Sequence, residues 1–314
     1  MKHKFFLSLL LALVALCLLA QVPVTRNSTK PKAKPKTEQT AKPAPAKKKT
    51  NQAAKPSAAK RTNSSGATSS AANAKLTLKN LTANMVYVSG GTFTMGATSE
   101  QSSYAWNGEQ PAHSVTVSGF YICKYEVTQA LWKAVMGSNP SNWKGDNLPV
   151  EMVSWNDCQN FIRKLNALTG KNFRLPTEAE WEFAARGGNN SRGYMYAGSN
   201  NIGDVAWYVY NSESKTHAVG TKSPNELGIY DMSGNVLEWC QDWYGSYSSA
   251  SQTNPTGASS GSRRVLRGGG WVDYVWECRS SDRHDLTPDN RVNYSGLRLV
   301  LSQLKKPMEV DASE

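Results

Sequence analysis

The stretch DMSGNVLEWCQDW, Asp231 to Trp243, decides how this chain is read. NELGIY (Asn225 to Tyr230) leads into it, and RVLRGGGW (Arg264 to Trp271) follows. Upstream lies RLPTEAEWEFAARGG, Arg174 to Gly188. Its TEAE, Thr177 to Glu180, is a capping box preceded by Pro176, so a helix is expected from there to about Arg186.

Working outward, MVYVSGGTFTMG (Met85 to Gly96) alternates apolar with small or polar residues around Gly90-Gly91 and predicts a hairpin. HSVTVSGFYICKYEV (His113 to Val127) continues as strand. Thr128 can cap a helix running to Met136, with Leu131, Trp132 and Val135 on one face. Ser154 can cap a second helix from Trp155 through Leu168, whose stripe is Trp155, Cys158, Phe161, Ile162 and Leu165. RRVLRGGGW and SGLRLVL (Ser295 to Leu301) read as late strands. The fold class is α+β, with few helices, a small twisted sheet and much ordered loop.

The first residues are of another kind. Lys2 and Lys4 precede the apolar run Phe5 to Ala20, which is short for a membrane span and predicts a signal peptide over residues 1–20. Ala20-Gln21 is the expected cleavage site; lipidation at Cys17 is the alternative, against which Leu16 stands where a small residue is needed. Residues 21–79 form a Lys/Pro/Ala/Ser-rich linker with almost nothing to bury, expected to stay disordered and extended. The domain spans 80–302, and 303–314 is a flexible tail. Processing would leave no transmembrane segment, in a secreted, periplasmic or envelope-associated protein.

Charge separates these parts. The chain carries +12, and residues 26–75 alone carry +12 through 13 Lys or Arg against Glu38. With Lys2 and Lys4 included, residues 76–314 net −2, so the high pI belongs to the tail and no basic groove for nucleic acid is expected. The linker is a solvated spacer or a contact to anionic envelope material. No GxxxxGK[ST], HExxH or GxSxG occurs, and the four histidines lack metal-ligand spacing. All 10 Trp lie between Trp106 and Trp276.

VSGGTFTMG, YEVTQALW, PVEMVSWNDC, RLPTEAEWEFAARGG, NELGIYDMSGNVLEW, RVLRGGGW and GLRLV occur in one order from Met85 to Val300. In that order they resemble the sulfatase-modifying factor family, the formylglycine-generating enzyme superfamily. The resemblance implies an elaborated C-type-lectin-like fold with little regular structure and bound calcium. It places one calcium site on Asp231 and Glu238 with the carbonyls of Gly234 and Val236. A second, looser site maps to Asn201 and Ile202, with Asn211 and Glu213 beside them. The family's oxidation of a substrate cysteine to formylglycine uses copper held by two cysteines five residues apart. Here those positions are Asp273 and, without gaps, Cys278; anchoring on CRSSDR and TPD instead makes Cys278 a core position. A carboxylate does not replace a soft thiolate on Cu(I). The family's pocket Trp and Ser fall on Leu237 and Gly270. Copper is therefore not expected, no catalytic residue is assigned, and Cys278 and Asp273 remain the weak candidates.

Four cysteines follow the leader: Cys123, Cys158, Cys240 and Cys278. An even count outside the cytosol permits two disulfides, with Cys240–Cys278 preferred and Cys123–Cys158 left over. Buried free thiols are the other reading. Two functions follow. One is a calcium-stabilised module that binds a protein or glycan at the cell envelope through exposed Trp and Tyr. The other is an oxidoreductase of the sulfatase-modifying type, acting on a protein cysteine or another substrate with altered residues, for which Asp273, Asp282, Asp285 and His284 form a candidate cluster.

Overall fold

Strands β1 (Met85–Val88) and β2 (Gly91–Met95) do not form the hairpin expected from their Gly-Gly junction. Both run antiparallel to the later pair β3 (His113–Val117) and β4 (Phe120–Cys123). β1 pairs with β4, Met85 opposite Cys123, and β2 pairs with β3, Gly91 opposite Val117. The two ladders share one register, so the chain turns back between Met95 and His113 and not at Gly90. A side chain on Gly90 would put its Cβ 2.7 Å from the Val117 carbonyl oxygen, so the glycine allows close approach of the partner strand. The expected single strand from His113 to Val127 is interrupted at Ser118–Gly119 and ends at Cys123.

The computed structural model describes residues 78–101 and 104–302, and the leader, most of the linker and the C-terminal tail predicted from the sequence lie outside them. A short helix, α1, covers 78–83. The three sequence-predicted helices form where expected. Helix α2 (Gln129–Met136) is capped by Thr128, whose hydroxyl accepts from Leu131 N, and ends on Gly137 in the left-handed region. Helix α3 (Trp155–Thr169) starts with Ser154 and Asp157 in a reciprocal capping box, and α4 (Glu178–Ala185) with Thr177 and Glu180 in another. Trp132 of α2 stacks on Phe161 of α3, centroids 4.8 Å apart.

The remaining elements are short: β5 (Phe173–Arg174), α5 (Ile202–Val205), β6 (Leu237–Trp243), β7 (Gln252–Thr253), β8 (Arg264–Arg267), β9 (His284–Leu286), β10 (Ser295–Gly296) and β11 (Val300–Ser302). They make three sheets, in the orders β1-β4-β11-β5, β10-β6-β8-β9 and β2-β3-β7. RRVLRGGGW is strand only to Arg267. SGLRLVL is cut in two: β10 pairs with β6, then β11 crosses to β4 and β5. Between them Leu297 and Leu299 enter the apolar core while Arg298 is aimed at Glu238. β6 is central. The indole of Trp239 donates to the Val153 carbonyl at 3.0 Å, and Trp155 on α3 donates back to the Cys240 carbonyl at 2.9 Å.

One apolar core lies under α2 and α3, with Val150, Leu175, Trp239, Leu266 and Leu299 fully buried. A second surrounds α4, where Trp181 and Phe183 meet Phe120, Ile122 and Val265. Seven of the eight residues of α4 are buried, including Glu178 and Glu182, and only Glu180 is partly exposed. Carboxylates buried in this way need partners, and Arg267 and Arg283 supply them.

Candidate functional site

Four buried guanidiniums organise the interior, each held on a carboxylate brought from a distant segment. Arg267 binds Glu182, with Glu178 at 3.4 Å. Arg283 grips both oxygens of Glu178 at 2.6 and 2.8 Å. Arg279 grips Glu109 at 2.7 and 2.8 Å. Arg298 donates to both oxygens of Glu238, at 2.6 Å in its shortest contact, and to the carbonyls of Cys123 and Tyr230. Forked guanidinium geometry matches a carboxylate, so these pairs fix the relative placement of loops that have little regular structure. No sequence motif singled them out; the available signal was an arginine inside an apolar strand, as in GLRLV.

The proposed calcium donors converge in part. Glu238 accepts from Arg298 and, at 2.7 Å, from the Trp181 indole. One oxygen of Asp231 accepts from Gly220 N at 2.7 Å, whereas Oδ1 is buried with no hydrogen-bond partner. Asp231 and Asn235 hold left-handed backbone, φ 57° and 63°, which gives the turn its curvature. Glu126, not anticipated from the sequence, joins them: it accepts from Asn235 Nδ2 at 2.7 Å and Val236 N at 3.2 Å. Burial, then the charges of Asp231 and Glu238, push the Glu126 carboxyl well above the usual range. Burial pushes Asp231 up to about 6. Three interior carboxyls thus face one guanidinium, and an orphaned hard oxygen points to a missing positive charge. That oxygen is of the hard kind calcium takes, and Glu238, both of whose oxygens Arg298 already holds, would have to be shared with the ion. Among the described residues no three His, Cys, Asp or Glu side chains are clustered closely enough to hold a metal by themselves, so backbone carbonyls would have to complete the set. The second set is more dispersed. Asn201 caps α5 and donates to Asp204, Asn211 bonds Tyr208 N and the Ala206 carbonyl, and Glu213 pairs with Lys215 at the surface.

At the position of the family's oxidation chemistry the pocket is closed. Asp273 Oδ2 accepts from Gly270 N at 2.8 Å, and burial lifts the carboxyl to about 6. Cys278 is fully buried, and burial followed by the Asp273 charge pushes its thiol well above the ordinary range. A buried thiol held protonated is a poor nucleophile. Gly270 leaves little room for a side chain, its added Cβ standing 3.1 Å from the Tyr294 carbonyl oxygen, and Leu237 is core. The expected disulfides are not formed. All four cysteines are free and buried, Cys240 in the core around α4 and Cys278 in a third cluster with Tyr196 and Val205, while Cys123 donates to Met85 Sδ at 3.2 Å. Each thiol has an apolar place of its own, so packing and not cross-linking explains it.

Of the sequence-predicted cluster, Asp282 and His284 meet: Nε2 stands 2.8 Å from Asp282 Oδ2. Burial opposes a charged ring, but Asp282 outweighs it and lifts His284 to about 9. Asp282 also accepts from the Trp106 indole at 3.2 Å, and Asp285 pairs with Arg263. Above this charge-balanced floor is a cleft of about 430 Å³ lined by Tyr104, Trp106 and Trp276. Tyr274 stacks on Trp276 at 4.8 Å, and Tyr210 abuts Tyr274 at 5.9 Å. Five of the eight exposed large apolar side chains in the described residues belong to this one area: Tyr104, Trp106, Tyr210, Tyr274 and Trp276. A cluster of exposed rings of this kind is a candidate contact surface.

Comparison with known proteins agrees with the fold. Residues 70–303 match the sulfatase-modifying factor enzyme 1-like domain. The chain is 36% identical over 275 residues to Chaperone protein LppX of Paenibacillus barcinonensis, covering 70% of this chain and 90% of that protein. It is 31% identical over 291 residues to the formylglycine-generating enzyme of Mus musculus, covering 70% and 75%. The solved structure of Treponema denticola variable protein 1 superposes with a TM-score of 0.64 at 33% identity, covering 70% of this chain and 95% of that one. No helix among the described residues is long and apolar enough to cross a membrane. The chain belongs to the sulfatase-modifying factor family, with the fold of the formylglycine-generating enzymes.

Proposed function

We propose that this protein is a non-catalytic, calcium-stabilised binding module of the formylglycine-generating enzyme fold that works at the cell envelope. What supports this reading is that Asp273 and a buried Cys278 stand where paired cysteines would be needed, with an exposed aromatic cleft beside them. Where two thiolates would be needed, the chain has Asp273 and the buried thiol of Cys278. Next to them, Tyr274, Trp276, Tyr104 and Trp106 present rigid amphipathic surface, the side chains that dominate binding energy at interfaces. The partner is a protein or glycan of the envelope. A relative named as a chaperone protein is 36% identical to this chain, against 31% for a relative named as a formylglycine-generating enzyme. Asp231, Gly234, Val236 and Glu238 would hold calcium, which would supply positive charge to the carboxyl cluster; copper has no ligand set here. The basic segment would press the module against anionic envelope polymers.

The test sets the two functions against each other. Purified protein with Cu(I), oxygen, a reductant and a Cys-x-Pro-x-Arg peptide should give no formylglycine by mass spectrometry. The same protein should pull down with envelope fractions, and Trp276→Ala with Tyr274→Ala should release it without lowering Tm. Multiple turnovers abolished by Cys278→Ala would establish the oxidase instead.

A further inference from the structure

A second cavity, of about 420 Å³, lies under the loop that joins β6 to β8 and shares only Arg283 with the aromatic cleft. Its size is that of a small-molecule site. The loop over it is fixed, not loose. Its β7 segment pairs with β3, Val115 opposite Gln252 and Thr116 opposite Thr253. Asn254 N donates to the Thr116 carbonyl at 2.8 Å, and its Oδ1 accepts from Ser118 N at 2.7 Å. Gly257, at φ 77°, lets the loop descend onto β6: a Cβ there would stand 2.7 Å from Asp242 Cβ and 3.0 Å from its Oδ1.

The floor is unusual in its charge. Glu178 is neutralised by Arg283 and Arg267, and Tyr247 donates to it at 3.2 Å. Arg283 Nη1 donates to the carbonyls of Gly108 and Gly245. His113 has Nδ1 3.0 Å from the Pro111 carbonyl and packs its ring on Tyr247. Asp242 alone lacks a cation. Its Oδ2 accepts from Glu178 N at 3.0 Å, and its Oδ1 takes part in no hydrogen bond although the residue is only 3% exposed. Burial, then the Glu178 charge, push this carboxyl up to about 8, so at neutral pH it is mostly an uncharged donor. The lining therefore offers no free cation for an anion and no free anion for a cation. It offers a neutral carboxyl, the hydroxyls of Ser246, Ser248, Thr253 and Thr256, and the rings of Tyr247 and Trp243.

We propose that this cavity is a binding site for one neutral, polyhydroxylated ring, a single sugar residue, with the Asp242 carboxyl as its buried hydrogen-bonding anchor, Thr253 and Thr256 at its mouth and Tyr247 as its apolar wall. The site stands apart from the binding face proposed above, and either can fail without the other.

The test uses the full chain at pH 7 and a named panel: glucose, galactose, mannose and N-acetylglucosamine, with glucose 6-phosphate and glucosamine as charged counterparts. Saturation-transfer NMR and calorimetry should find at least one neutral sugar with a Kd below about 10 mM. The charged counterparts should bind at least roughly tenfold more weakly. Thr256→Val, an exposed substitution that removes only the hydroxyl, should weaken the bound sugar about fivefold, and Asp242→Leu more than tenfold, each with circular dichroism confirming the fold. If Asp242→Leu does not fold, Thr256→Val together with Thr253→Val decides. No binding across the neutral panel, equal binding of the charged sugars, or affinity unmoved by the folded variants would each overturn the assignment.

Discussion

Replacing Arg298 with Met should destabilise the domain by about 3–5 kcal/mol, the range for removing one partner of a buried ion pair. The size follows from what the guanidinium touches. It is fully buried, forks onto Glu238 with a shortest contact of 2.6 Å, and also satisfies the carbonyls of Cys123 and Tyr230. Methionine fills much of the volume but leaves the Glu238 carboxylate facing Glu126 and Asp231 without a cation. Neutralising Glu238 as well, in Arg298→Met/Glu238→Gln, should recover at least about 2 kcal/mol of coupling energy, because the uncompensated charge is then gone. Guanidinium unfolding followed by tryptophan fluorescence would give both values, and a loss of 3–5 kcal/mol would lower Tm by roughly 6–20 °C for a domain of this size. Calcium should offset more of the loss in Arg298→Met than it adds to the unaltered protein, since the ion would then be the cluster's sole positive charge. A cost below about 1 kcal/mol for Arg298→Met would refute the reasoning, because Glu238 would then be neutral or solvated.

Stability should be greatest near pH 5 and fall toward pH 9. Acids whose folded pKa is raised, Asp231 to about 6 and Asp242 to about 8, favour the native state while protonated, and that advantage is lost as pH rises from their unfolded value of 3.8 through those values. The raised His284 adds stability in full below 6.5 that disappears through about 9, whereas the lowered Glu178 and Glu109 protect above 4.5 and fail in acid; flat melting temperatures from pH 5 to 9 would contradict this account. Calcium should raise Tm more at pH 8 than at pH 5, where Asp231 is protonated, and melting curves identical with calcium and with chelator would remove the ion from the site. Cys123, Cys158, Cys240 and Cys278 should resist alkylation in the native protein and all react after denaturation without reductant; a mapped disulfide peptide would show otherwise. A chain beginning near residue 76, which keeps Leu78 packed on the core, should unfold cooperatively with unchanged Tm, placing the domain boundary there.

The sequence by itself determined the family and the local starts of structure. Thr128, Ser154 and Thr177 announce their helices because a cap is satisfied by residues within three positions, and Gly137 and Gly170 end two of them for the same local reason. That Asp and not Cys stands at 273 is likewise read from the sequence alone. Tertiary structure decided what depends on distant partners. Whether Gly90-Gly91 turns a hairpin or runs straight is set by strands 113–123, which offer both halves a partner in one register. The cysteines pair or stay free according to separations no spacing reveals. Arg298 finds Glu238 across 60 residues, and Arg279 finds Glu109 across 170, so the buried charges that order the loops were invisible until the chain was folded. The aromatic cleft and the neutral Asp242 pocket belong to the same class: exposure and desolvation are properties of the assembled surface, and the identity of a residue does not carry them.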